Sequence, residues 1–144
     1  MTYLIIALFA VFGPLFVLPV ELVLPYPYVI EELFNCILII IILVETKKRV
    51  TAIRMAILVG VLFSITETVL YIYNIALVGQ PGDLVLRLIL TAILHVATCL
   101  IMLVFGFINR WLIFVGLGLA ILLHPIISGH KQFESLPGRM DRFD

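Results

Sequence analysis

Residues 31–44 read EELFNCILIIIILV: two adjacent carboxylates, Glu31 and Glu32, and then an almost unbroken apolar run. A run of this kind belongs in lipid, and an ionisable side chain at its edge is costly enough there to mark a functional site by default. The rest of the chain repeats the pattern. Its 144 residues are 64% hydrophobic and only 12% charged, with a mean hydropathy of +1.28. A soluble domain is closer to half apolar and a quarter charged. The composition predicts an all-α, polytopic transmembrane helix bundle whose surroundings are the lipid bilayer. A net charge of zero gives no sign of a nucleic-acid partner. Cys36 and Cys99 lie deep in apolar runs and form neither a CxxC pair nor a disulfide framework. The opening MTYLII has no basic flank, so the first segment reads as a retained helix rather than a signal peptide.

About 20 apolar residues span a bilayer as a helix, and five segments qualify: 2–20, 28–44, 50–78, 84–107 and 111–127. A bend is expected near Gly13-Pro14. Pro25-Tyr26-Pro27 separates the first two segments, and the basic loop Thr46-Lys47-Lys48-Arg49 the next. Gln80-Pro81-Gly82-Asp83 reads as a turn with Asp83 as helix cap. Asn109-Arg110-Trp111 has the residues of a membrane–water interface. Residues 1–128 then form the membrane domain and 129–144 a flexible polar tail. Lys47, Lys48, Arg49, Arg54 and Arg110 fall on one side, which predicts a cytoplasmic N-terminus in a prokaryotic cell membrane.

This topology brings ionisable residues of four helices toward one leaflet. Measured from the predicted helix ends, Glu31 and Glu32 are roughly 6 Å deep and Glu67 and His95 roughly 16 Å. His124 lies near the outer end of the last helix. Ser64, Glu67, Tyr71 and Asn74 share one stripe of the third helix; Arg87, Thr91, His95 and Thr98 share one of the fourth. Both stripes must face the protein interior, because lipid offers them no hydrogen bonds. A Glu–His pair beside water suits general-base chemistry, and a second imidazole can stabilise an oxyanion. The plainer alternatives are capping of the second helix by Glu31 and Glu32, interhelical hydrogen bonds for the two histidines, and a structural role for Arg87. Cys99 is most simply a buried thiol.

In order and spacing these residues resemble the PrsW branch of the CAAX-protease and bacteriocin-processing superfamily, glutamate-type intramembrane proteases. The family's EExxK corresponds to Glu31-Glu32-Leu33-Phe34-Asn35, and its membrane glutamate with a tyrosine four residues on to Glu67 and Tyr71. Its arginine-then-histidine helix is matched by Arg87 and His95, and its final histidine by His124, four residues before Ser128. Asn35 stands where the family has lysine, and Ser128 where it has asparagine. The resemblance spans about residues 28–128. It implies an intramembrane endopeptidase with Glu31 activating water, Glu32 orienting it, Glu67 as a further carboxylate, and His95 and His124 binding water or the oxyanion. Arg87, Tyr71, Asn35 and Ser128 would support them. The implied substrate is a membrane-embedded polypeptide. No cofactor is expected; a divalent metal is open, but no helix carries metal-ligand spacing of its own. A small proton or cation transporter, a haem-binding bundle and a catalytically inactive relative that binds a membrane partner are the competing readings.

Overall fold

The computed structural model describes residues 2–21, 26–78 and 81–132. They form five α-helices and one 3-10 turn: α1 (Thr2–Glu21), α2 (Pro27–Glu45), α3 (Arg49–Val78), α4 (Pro81–Ile108), the turn Arg110–Leu112, and α5 (Ile113–Gln132). There is no strand among the described residues. The all-α bundle expected from composition is therefore the observed architecture. Two boundaries differ. α4 begins at Pro81, so Asp83 lies in its first turn instead of capping it; proline suits that position because its missing N–H would be unpaired there anyway. α5 continues through Pro125 to Gln132 and takes in the start of the expected tail, whose residues 133–144 lie outside the described residues.

Three helices are long and apolar enough to cross a membrane, over Tyr3–Val20, Arg49–Leu70 and Leu88–Ile108. Of the five spans expected from sequence, three are long and apolar enough and two are of another kind. The apolar stretch through the 3-10 turn and α5, Arg110–Ile126, is shorter. α2 carries Glu31, Glu32 and Glu45 within 19 residues.

The packing shows why α2 tolerates them. It touches all four other helices, whereas α1, α3, α4 and α5 follow one another in an arc around it, with no contact between α1 and α5 among the described residues. α2 accordingly buries Glu31, Glu32, Asn35, Cys36, Leu38, Ile39 and Ile42 and leaves a narrow stripe of Leu33, Ile37 and Val44 exposed. The outer faces of the arc are apolar: Phe16, Val85, Ile93, Leu122 and Ile126 are all more than half exposed. In water so large an apolar surface would be a liability; in lipid it is the solvated one.

Between helices in lipid there is little hydrophobic driving force, so close van der Waals packing at small residues holds the bundle. Gly13 of α1 abuts the Phe34 ring of α2, and Gly106 of α4 abuts Leu43. Gly60 of α3 faces bare α4 backbone: a Cβ there would stand 2.8 Å from Val96 Cα and N and 2.9 Å from His95 C. A Cβ on Gly116 of α5 would likewise stand 2.9 Å from Met102 Cα of α4. At the bundle end formed by the basic residues, Arg49 lies over the Phe107 ring at 5.6 Å. The Asn109 side chain accepts a hydrogen bond from the Trp111 N–H at 3.0 Å, and Trp111 is 78% exposed, as suits an interfacial indole.

Candidate active site

Pro27 opens α2, and Glu31, Glu32 and, about one turn on, Asn35 lie on its buried side. Glu32 and Asn35 are fully buried and Glu31 is 5% exposed. α3 contributes Glu67, α4 His95 and α5 His124. Carboxylate and imidazole groups of four helices converge here. The expected 10 Å difference in depth between the α2 glutamates and the Glu67–His95 pair does not exist. α3 and α4 have 30 and 28 residues against 19 in α2, so they overshoot its start, and counting from each helix end overstated the depth of Glu67 and His95.

His95 is fully buried and held at both nitrogens. Its Nε2 is 2.6 Å from Glu67 Oε2, and the Asn35 Nδ2 amide donates to its Nδ1 at 3.3 Å. An Nδ1 that accepts carries no proton, so the ring proton sits on Nε2 and is donated to Glu67. The Phe63 ring packs against His95 at 4.8 Å and, with Gly60, fixes it from the α3 side. Two nearby hydroxyls are satisfied locally: Ser64 donates to the Val61 carbonyl at 2.9 Å and Thr98 to the His95 carbonyl at 3.2 Å. They bend toward their own helices and take no part in the cluster.

His124 is bracketed by the two α2 carboxylates. Its Nδ1 lies 3.1 Å from Glu32 Oε1 and its Nε2 3.4 Å from Glu31 Oε2. To fill both contacts, the ring and the two carboxylates must share at least two protons. Tyr28 stacks on His124 at 5.7 Å, and His124 meets His95 edge-on at 5.8 Å. Glu32 Oε2 and Asn35 Oδ1 are buried with no hydrogen-bond partner among the described residues. Such acceptors are expensive to leave unfilled and are places for a water or a substrate N–H.

Glu31 joins the two halves. Besides facing His124, it offers an oxygen within 4.8 Å of ligand atoms of both Glu67 and His95. Side-chain exposure remains at Glu67, 14%, and at His124, 10%. The geometry therefore presents a carboxylate between two imidazoles, each backed by its own acid.

The same three groups, Glu31, Glu67 and His95, could hold a divalent cation. Their present arrangement suits proton sharing better. Zinc ligands in a tetrahedral site stand roughly 3.3 Å apart, whereas His95 Nε2 and Glu67 Oε2 are 2.6 Å apart and hydrogen bonded. Nor does either imidazole have a nitrogen to spare for a haem iron, since all four ring nitrogens face side chains of the cluster.

All five residues expected to carry the chemistry, Glu31, Glu32, Glu67, His95 and His124, are brought together. Asn35 has a more direct part than its place in the sequence suggested, since it touches His95. The side chains of Tyr71, Asn74, Arg87 and Ser128 lie outside the described residues. Cys99 is a fully buried core residue, as the plainer reading had it. Tyr28, Phe63 and Gly60 were not anticipated. Phe63 precedes Glu67 by one turn, a spacing that places it on the same face; nothing comparable points to Tyr28 or Gly60. No protein-family model, curated protein or solved structure matches this chain.

Proposed function

We propose that this protein is an intramembrane hydrolase of the glutamate type, cutting membrane-embedded polypeptides with a water activated between Glu31 and the two histidines. The observation that carries the reading is the position of Glu31, buried, 3.4 Å from His124 Nε2 and within 4.8 Å of the Glu67–His95 pair. The PrsW-like order of motifs agrees with it. In the reaction, Glu31 takes a proton from water as the oxygen attacks the amide carbon. Once Glu31 has taken the proton, the His124 Nε2–H that faced it turns to the oxyanion, and the proton on Glu31 passes to the leaving amine as the C–N bond breaks. Water and one amide give one carboxylic acid and one amine. Glu67 holds the His95 proton on Nε2, and Glu32 orients His124. Removing a general base of this kind is worth about 10²–10⁴ in rate.

The test is cleavage of fluorescent transmembrane-helix peptides in liposomes. Glu31→Gln is expected to lower turnover by about 10²-fold or more, while a chelator leaves the wild type unaffected. Full activity in Glu31→Gln would sink the proposal. Activity abolished by a chelator and restored by zinc would favour a second reading, supported by the Glu31–Glu67–His95 ligand atoms, in which the same residues hold a metal that activates the water. Proton flux without cleavage, lost in Glu67→Gln, would point instead to a transporter.

A further inference from the structure

Away from this site, at the other end of the bundle, the chain forms an open cavity of about 230 Å³ lined by both polar and apolar groups. Fourteen residues of α2 separate Glu32 from Thr46, roughly 21 Å of helix, so the cavity is independent of the candidate active site. Its wall is made where four elements meet: the end of α2, the loop into α3, the end of α4 and the 3-10 turn. Lys47, Arg49 and Arg110 supply three cations, Leu43 and Phe107 an apolar floor, and no carboxylate among the described residues lines it. Glu45, one residue before Thr46, is not part of the wall.

Helix dipoles do not cancel this charge. The C-terminal ends of α2 and α4 and the N-terminal end of α3 meet here, each worth about half an elementary charge. Their sum is about half a negative charge, and with Glu45 beside the wall about one and a half negative charges stand against three positive ones. A further mark is Thr46, which lines the cavity and whose Oγ1 is buried without a partner among the described residues. Positive charges scattered along a loop would explain orientation in the membrane. They would not explain a concave site with a leftover hydroxyl and an apolar floor.

We propose that this cavity binds the phosphate of an anionic phospholipid, with Lys47, Arg49 and Arg110 around the phosphate and the first carbons of the acyl chains against Leu43 and Phe107. Basic pockets between transmembrane helices take such head groups. The exposed Trp111 beside Arg110 puts the site at headgroup level. A free phosphate ion shares the same chemistry, and the two sources are separable.

The chain has a single tryptophan, Trp111, which makes it a reporter for the site. The intact protein is placed in phosphatidylcholine vesicles, and Trp111 quenching is followed as brominated phosphatidylglycerol or brominated phosphatidylcholine is added. At about fivefold per cation, the paired change Lys47→Gln with Arg110→Gln is expected to weaken the preference for phosphatidylglycerol by roughly 25-fold. The pair Lys48→Gln with Arg54→Gln removes the same charge from the same region but outside the cavity, and is expected to keep the preference. Quenching by brominated phosphatidylcholine shows that each variant is inserted and folded. Equal quenching of the wild type by both lipids overturns the proposal. So does an equal loss in the two variant pairs, which would mean attraction to the surface at large. Displacement by millimolar inorganic phosphate upholds the phosphate site and makes its occupant the soluble ion.

Discussion

At His95 the proton has one place to be. Nδ1 accepts from Asn35, which leaves Nε2 as the donor to Glu67, and a side chain that reverses this polarity should reverse the tautomer. Asn35→Asp replaces the donor with an acceptor, so the ring proton should move to Nδ1. The ¹⁵N shifts of His95 report the change directly, and an unmoved pattern would show that Asn35 does not set the tautomer. Asn35→Leu instead leaves a buried Nδ1 unsatisfied, at about 1–3 kcal/mol, measurable as a lower unfolding free energy in mixed micelles. The identity of the site residues could be read from charges placed in apolar runs, because lipid allows few idle ones. Their pairing could not. Asn35 appeared only as a position where a lysine was expected, and a stripe on a helix shows which way a residue faces without showing what it meets there.

The helices place these groups by how closely they approach one another, and Gly60 sets the approach of α3 to α4. A methyl group there would meet the backbone of His95 and Val96 at 2.8–2.9 Å, and backbone cannot step aside as a flexible side chain can. Gly60→Ala gains about 0.5–1 kcal/mol in helix preference but should lose about 1–3 kcal/mol to overpacking, a net destabilisation. It should also lengthen the His95–Glu67 contact and lower hydrolysis. Gly118 on α5 is the control, because a Cβ there has open space around it; Gly118→Ala should keep activity and stability or improve the latter slightly. If both variants behave alike in thermal unfolding, close packing at Gly60 is not what positions His95. Element length explains the depth error as well. Hydropathy located the apolar runs to within a few residues of the observed helices. It gave no register between helices of 19 and 30 residues, and register depends on side chains distant in sequence.

Across the whole molecule α2 stands inside an arc whose two ends, α1 and α5, do not touch among the described residues. Among the described residues α5 is therefore held by α4, the 3-10 turn and α2, and its polar link to α2 passes through His124, which faces Glu31 and also Glu32, 92 residues away in sequence. If that link ties the last helix to the centre, its two ends must be energetically coupled. Glu32→Leu takes one of its two carboxylates from the His124 ring, and His124→Leu strands a fully buried carboxylate. Each single change should destabilise the bundle in mixed-micelle unfolding. The double change should cost less than the sum of the two, because removing both ends of the pair leaves neither Glu32 nor His124 buried without the other. The coupling expected from interhelical hydrogen bonds in membranes is about 0.6–1.7 kcal/mol. All three variants should be inactive, so the double variant would regain stability without regaining hydrolysis. That separation would identify the buried pair as retained for chemistry at some expense to the fold. A coupling of zero would mean that α5 is placed by its apolar contacts with α4, with Gly116 packed on Met102, and that the His124–Glu32 contact follows from the fold without helping to hold it.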